Sequence, residues 1–330
     1  MERVLLIMTG GTITMKKGVS KTLELSEMSE LPEEMQYILY TLRNEIMIDV
    51  EFLYNIDSTD VDINNWKKIA KCIYENYDSY DGFVVSHGTD TLSYSASAIS
   101  FMLQNIGKPV VFTGAQLPLS NIYTDGTNNL INSFLLASKY DIGEVCILFG
   151  SKIMRATRSR KVSAFDLQAF DSINVNSLGT IGLSFTLSNE VKGRRKSTRL
   201  KYYDNFDENI SFIKMFPGLS EEVFANMTKN VNGLILQGFG AGNIPTRFFD
   251  QIIKLADSNI PIVICTQCVV GKIELELYKV GQQLSELGVI SARDMTPEAA
   301  IVKLMWALGQ TKKIDEIRDY FNRDLVGELS

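Results

Sequence analysis

The sequence is short of the residues that hold metals and disulfides: one histidine, His87, and four cysteines, Cys72, Cys146, Cys265 and Cys268, in 330 residues. A zinc site would need two ligands beyond the CxxC of Cys265 and Cys268, and so few scattered thiols suit a reducing compartment without disulfides. No run approaches the ~20 apolar residues that span a bilayer. The opening "MERVLLIMTGG" has too short an apolar run for a leader and lacks a small-residue cleavage site. A cytoplasmic protein with no membrane partner is expected. Basic side chains are outnumbered, 33 against 39 acidic ones, for a net charge of −6, the wrong sign for a chain that lives on phosphate backbones. Neither GxGxxG nor GxxxxGK[ST] occurs, which disfavours nicotinamide and nucleoside triphosphate chemistry. Internal repeats and low-complexity tracts are absent too.

What is present is the composition of a folded protein, with 45% hydrophobic and 22% charged residues, in a chain long enough for two ordinary domains. Short aliphatic runs read as buried strands: "RVLLIM", "DVEFLYN", "DGFVVS", "KPVVFTG" and "EVCILFG". Helical spacing lies between them. Trp66, Ile69, Ala70, Ile73 and Tyr77 keep a three-to-four residue period behind Asp62 as N-cap, Leu92, Ala96, Ile99 and Leu103 do the same, and a third such segment starts near Asp125. Alternation of this kind predicts an α/β domain with a mostly parallel sheet.

The stretch "EVKGRRKSTRLKYYDNFDEN" is charged and without sustained periodicity, and reads as a solvated connection. Beyond it "ISFIKMF", "GLILQG" and "IPIVIC" read as strands, with helices from about Thr246, Gly271 and Thr296. The expected organisation is a larger catalytic α/β domain over residues 1–189, a linker over 190–210 and a smaller α/β domain over 211–330.

In parallel sheets, ligands collect beyond the carboxyl ends of the strands, where loops converge and helix N-termini offer free N–H groups. Three loops qualify: Thr9–Ile13, His87–Thr91 and Gly114–Gln116. The plain structural reading of "HGTDT" has Thr89 or Asp90 capping a helix, Gly88 turning the chain and His87 filling space. Its company argues for more, since "TGGT" repeats the pairing of glycine with hydroxyl. Glycines admit close backbone approach, and a threonine oxygen becomes a nucleophile once a base takes its proton. Lys161, in "RATRSRKVSAFD", is the candidate base if it lies beside Asp90. Asp57 and Ser58, after "VEFLYN", would offer a carboxylate to an amino group and a hydroxyl to a carboxylate, as a free amino acid requires, although Asp-Ser before a helix is commonly a turn. Cys265 and Cys268 are read as buried structural thiols, with a redox dithiol as the alternative.

"TGGTI", "DGFVVSHGTDTLSYSASAISFML", "GKPVVFTGAQLPL", "GFGAGNIP" and the tail "DLVGEL" together resemble the bacterial type I, cytoplasmic L-asparaginases, in order and over nearly the whole chain. The resemblance implies a flavodoxin-like N-terminal domain, a smaller C-terminal α/β domain, a homo-oligomer (dimer or tetramer) and hydrolysis of L-asparagine to L-aspartate and ammonia without metal or cofactor. A weaker activity on L-glutamine is compatible with it. It makes Thr12 the first catalytic threonine and Thr89, Asp90 and Lys161 a triad. Asp57, Ser58 and Gly88 fall in its substrate-binding loops, Ala115 where a backbone carbonyl meets the side-chain amide, and Asn243 where a residue reaches the neighbouring subunit's site. His87 has no agreed chemical step.

Two departures stand out. The family's loop after "TGGTI" carries a tyrosine that helps activate the first threonine, and residues 13–31 contain none. Members with a second, allosteric asparagine site use an arginine just before the "GxGN" segment together with a cysteine in "TQC". Cys268 is present, but Gln237 takes the arginine's position, so weak or absent cooperativity is expected. Two rivals remain. The amidotransferase subunit of the same pattern normally has an extra N-terminal domain, whereas "TGGTI" here begins eight residues in. The other is a catalytically silent amino-acid-binding protein.

Overall fold

The computed structural model describes residues 1–17, 23–25, 31–195 and 199–330. They divide into two compact units, Met1–Ser172 with Asn176–Asp204, and Ile173–Val175 with Asn205–Ser330. In chain order the first unit contains β1 (Arg3–Gly10), β2 (Met15–Lys17), β3 (Leu23–Leu25), α1 (Glu33–Leu42), β4 (Met47–Ile56), α2 (Ile63–Glu75), β5 (Gly82–Ser86), α3 (Leu92–Met102), β6 (Leu103–Gln104), β7 (Val110–Thr113), α4 (Gly126–Lys139), β8 (Val145–Phe149), β9 (Lys152–Arg155), β10 (Ser159–Lys161), β11 (Phe170–Ser172), β12 (Gly179–Ile181), β13 (Phe185–Leu187) and β14 (Lys201–Tyr202).

An eight-stranded sheet runs in the order β13-β12-β9-β8-β7-β5-β1-β4. From β4 to β8 neighbouring strands are parallel, and from β8 through β13 they are antiparallel. The central strands β5 and β7 are buried along their full length. Burial on both faces is why they appear in the sequence as unbroken aliphatic runs rather than as alternations. One face of the sheet carries Leu6, Met8, Val84, Val111 and Cys146 into a core closed by Ile38 of α1 and Leu130 and Phe134 of α4.

The helix starts follow local chemistry. Asp62 accepts from the backbone N–H of Asn65 at 3.0 Å, and the Asn65 side chain accepts from the Asp62 N–H at 3.0 Å, a reciprocal capping box for α2. Helix α3 is buried nearly all round, which its small serines permit: Ser100 returns its hydroxyl to Ala96 O at 2.9 Å, and Ser95 accepts Trp66 Nε1 of α2 at 2.9 Å. In the stretch expected to connect the domains, Arg194 donates to Ala137 O at 2.8 Å and Tyr140 O at 3.0 Å, satisfying carbonyls at the end of α4. Further on, β14 pairs with β6.

The second unit holds β15 (Ile210–Lys214), α5 (Glu221–Met227), β16 (Gly233–Gly238), α6 (Phe249–Asp257), β17 (Ile262–Thr266), α7 (Lys279–Glu286), β18 (Ile290–Ser291), α8 (Pro297–Gln310) and α9 (Ile314–Asn322). Its four strands form a parallel sheet in chain order. The helix expected from Gly271 starts later. Gly271 has φ +139°, outside helical geometry, and the regular helix begins at Lys279. Inside this unit Lys303, wholly buried on α8, donates to the Arg323 carbonyl at 2.9 Å and pairs with the wholly buried Glu328, so the C-terminal tail is pinned to the core. The reading of both CxxC thiols as buried holds for one alone: Cys265 lies inside, whereas Cys268 is exposed past the end of β17, and neither is disulfide-bonded.

Candidate active site

Four loops leave the carboxyl ends of the adjacent parallel strands β1, β4, β5 and β7, bearing Thr12, Asp57–Ser58, His87–Asp90 and Gly114–Gln116. The glycines set how closely they meet. A Cβ on Gly11 would lie 2.5 Å from the Gly88 backbone, one on Gly88 2.6 Å from the Ser58 side chain, and one on Gly114 2.4 Å from His87 O. Gly11 itself has φ +85°, a conformation that only glycine takes without strain. No side chain except hydrogen fits between these loops.

Lys161, the last residue of β10, projects into the same place. Its Nζ donates to Thr89 Oγ1 at 2.8 Å and to Asp90 Oδ1 at 2.7 Å. The lysine side chain is 21% exposed and that of Asp90 57%, so the pair is partly screened by solvent. Thr89 in turn donates to Gln116 Oε1 at 3.3 Å, and the Gln116 amide nitrogen donates to Ala164 O at 3.0 Å and Asp166 O at 3.2 Å. Those two carbonyl acceptors fix the orientation of the amide, leaving its oxygen for Thr89.

Thr12 opens a short turn, Thr12–Thr14, directly after Gly11. Ser58, buried, accepts the Asp90 N–H at 3.3 Å, while its carbonyl accepts the Thr91 hydroxyl at 2.7 Å. Asp57 caps its own turn: Oδ1 accepts both the N–H and the hydroxyl of Thr59, at 2.9 and 2.8 Å. Ala115 is buried. Asn243 belongs to the second unit, where it exchanges backbone hydrogen bonds with Phe239 at 2.8 and 2.9 Å. The segment where the family's tyrosine would fall runs through residues 18–22 and 26–30, which lie outside the described residues.

His87 faces inward. Its Nδ1 donates to Gly88 O at 2.7 Å, and its Nε2 is buried with no hydrogen-bond partner among the described residues. Burial lowers its pKa from 6.5 to about 4, against a smaller opposing effect of the Gly88 carbonyl. The ring is therefore a neutral strut under the "HGTDT" turn. Among the described residues no group of three or more His, Cys, Asp and Glu side chains could hold a metal ion. Sequence reasoning passed over the Gln116 side chain and also Asp125 and Asn129, which lie behind the Gly114–Gln116 turn. The available signal was a polar pair four residues apart at the start of α4, one helical turn on one face.

Two family models match the chain: Asparaginase, N-terminal, over residues 3–193, and Glutaminase/Asparaginase C-terminal domain over residues 209–321. The chain belongs to the asparaginase family. It is accordingly an amidohydrolase. Among relatives of this asparaginase-family chain, an L-asparaginase of Thermococcus kodakarensis is 36% identical over 99% of both chains, and L-asparaginase 1 of Escherichia coli is 34% identical over 98% of this chain and 96% of its own. The solved structure of the thermostable L-asparaginase from Thermococcus kodakarensis superposes with a TM-score of 0.91 at 35% identity, covering 99% of both chains. L-asparaginase I from Vibrio cholerae gives 0.89 at 36% identity, covering 100% of this chain and 99% of its own. Among the described residues no helix is long and apolar enough to cross a membrane.

Proposed function

We propose that the chain hydrolyses L-asparagine to L-aspartate and ammonia, with Thr12 as nucleophile and Thr89, Lys161 and Asp90 as a proton-handling triad. The observation that carries this reading is Lys161 Nζ bridging Thr89 Oγ1 and Asp90 Oδ1 at 2.8 and 2.7 Å. Thr12 Oγ attacks the side-chain amide carbon, and the C–N bond breaks as the nitrogen gains a proton and leaves as ammonia. Water then cleaves the resulting ester, releasing aspartate and returning the proton to Thr12. Lys161 relays protons within hydrogen-bond reach, Asp90 holds the lysine, and backbone N–H groups of the glycine loops stabilise the oxyanion.

Asp57 and Ser58 receive the amino and carboxylate groups of the substrate beside Gly88, and the Ala115 carbonyl accepts from the side-chain amide. L-Glutamine is one methylene longer, a difference that a pocket resolves by only ~1–3 kcal/mol, so a weaker glutaminase activity accompanies the main one. The enzyme works in the cytoplasm as a homo-oligomer, a dimer or a tetramer, with Asn243 reaching the neighbouring subunit's site. Ile122, Tyr123 and Phe165, 92%, 80% and 95% exposed on stretches adjoining the Gln116 contacts, support coverage by a second copy.

Coupled ammonia release from L-asparagine and L-glutamine tests the reading, with light scattering for the assembly. Activity on asparagine that is lost in folded Thr12→Ala and in folded Thr89→Ala is expected. Near-normal hydrolysis by either variant, or an inert wild type that only binds the amino acid, would refute it.

A further inference from the structure

Asp125 stands in the N-cap position of α4 and leaves its own helix uncapped: its side chain accepts no N–H of that helix. Thr124 does part of that work instead, its hydroxyl taking the Gly126 N–H at 3.0 Å. The Asp125 carboxylate, nine-tenths buried, turns to the loop after β7. Both of its oxygens accept the Gln116 N–H at 3.0 Å, and Oδ1 also accepts the Leu117 N–H at 3.1 Å. One helical turn on, Asn129, 1% exposed, donates to Asp125 Oδ2 at 3.2 Å and to Gly114 O at 2.9 Å, while its own oxygen takes the Gly150 N–H at 3.0 Å. Gly126 lets the helix start come this close, since a Cβ there would lie 3.1 Å from that of Ala115.

The consequence follows from peptide geometry. The Ala115 carbonyl and the Gln116 N–H belong to one planar peptide, and no peptide in the described chain is cis. In a trans unit the two groups point in opposite directions. Clamping the Gln116 N–H onto both oxygens of a buried carboxylate therefore aims the Ala115 carbonyl away from Asp125, and the Asn129 bond to Gly114 O fixes the preceding peptide. A carbonyl aimed in advance binds an N–H donor without the cost of ordering itself.

We propose that Asp125, supported by Asn129, is a positioning residue that aims the Ala115 carbonyl at the side-chain amide of the substrate. The inference rests on the reading of Ala115 given above. It predicts a selective defect, because the substrate's amide has N–H groups to give that carbonyl and the product's side-chain carboxylate has none.

The test compares KM for L-asparagine with the inhibition constant of L-aspartate, at one pH, for wild type, Asp125→Ala and Asp125→Asn. Loss of one well-placed hydrogen bond changes affinity by about tenfold. Asp125→Ala is expected to raise KM by about that factor while the aspartate constant moves less than about threefold. Asp125→Asn keeps one acceptor oxygen for the two backbone N–H groups and is expected to recover most of the loss. Should Asp125→Ala not fold, Gly126→Ala, which crowds Ala115 directly, is read by the same two constants with the same expectation. A parallel rise of both constants, or an unchanged KM, overturns the positioning role. A wild type that releases no ammonia from asparagine overturns the underlying reading instead, so the two failures are distinguishable.

Discussion

Gly11 and Gly88 meet backbone to backbone: an added Cβ on Gly11 would stand 2.5 Å from both the Cα and the N of Gly88. This contact joins the turn carrying Thr12 to the turn carrying Thr89 and Asp90, and two strand ends become one site because neither residue has a side chain.

Gly11→Ala should consequently separate the two turns. The φ of +85° is strained for alanine, and the new methyl group has backbone, not a flexible side chain, to displace. The expected outcome is a kcat for amide hydrolysis reduced at least ~100-fold, since misplacement by about 1 Å costs that much, in a variant whose circular dichroism stays close to wild type. Retention of more than half of the wild-type kcat would contradict the close approach.

Lys161→Met keeps the length of the side chain and removes the donor shared by Thr89 and Asp90. General acid–base groups contribute typically ~10²–10⁴-fold, so kcat should fall within that range with KM changed far less. Asp90→Asn, which retains an oxygen for Lys161 Nζ, should lose less. Steady-state ammonia release measures both, and the opposite ranking would remove Lys161 from the centre of the site.

His87 gives a stability prediction with a definite sign. The unfolded imidazole takes a proton below about 6.5, whereas the buried ring resists protonation until about 4. Between these values the unfolded state binds more protons, so stability is present above the unfolded pKa and is lost as pH falls through the window. Between pH 7 and pH 5 the loss due to this group is about 2 kcal/mol. Because the chain has no other histidine, the difference between wild type and His87→Gln isolates it. Urea unfolding at the two pH values should show a shallower dependence in the variant, and equal slopes would place the ring in contact with solvent.

Saturation by L-asparagine should be hyperbolic. Gln237 is buried at the end of β16 with its Nε2 donating to Thr266 O at 3.1 Å. It lacks the planar cationic fork that an arginine would offer a carboxylate at that position. A Hill coefficient clearly above one in initial-rate data would show that another group has taken over the arginine's part.

Some of the fold was legible because the signal is local. The runs at Arg3–Gly10, Gly82–Ser86 and Val110–Thr113 are buried on both faces and so are continuous in the sequence, and Asp62 announces α2 through a cap that spans three residues. The strands β9 to β13 went unread: they are three- or four-residue ladders or hairpin arms, too short for a period to show, and partner choice rather than propensity makes them strands. Helix α9 went unread as well. At the site, Thr12, Thr89 and Lys161 drew attention by residue type, whereas Asp125 looked like an ordinary helix start.

The sequence by itself determined the family, the alternation of strand and helix, and which hydroxyls, carboxylate and lysine were available, because these are carried by residue identity and near-neighbour spacing. Only the tertiary structure decided that Lys161, 72 residues from Thr89, donates to its hydroxyl, that His87 stays neutral inside, and that Asp125 forsakes its own helix for the Gln116 and Leu117 N–H groups. Those outcomes depend on direction and distance among groups far apart along the chain, and such geometry exists only once the strands have paired and the helices have packed against them.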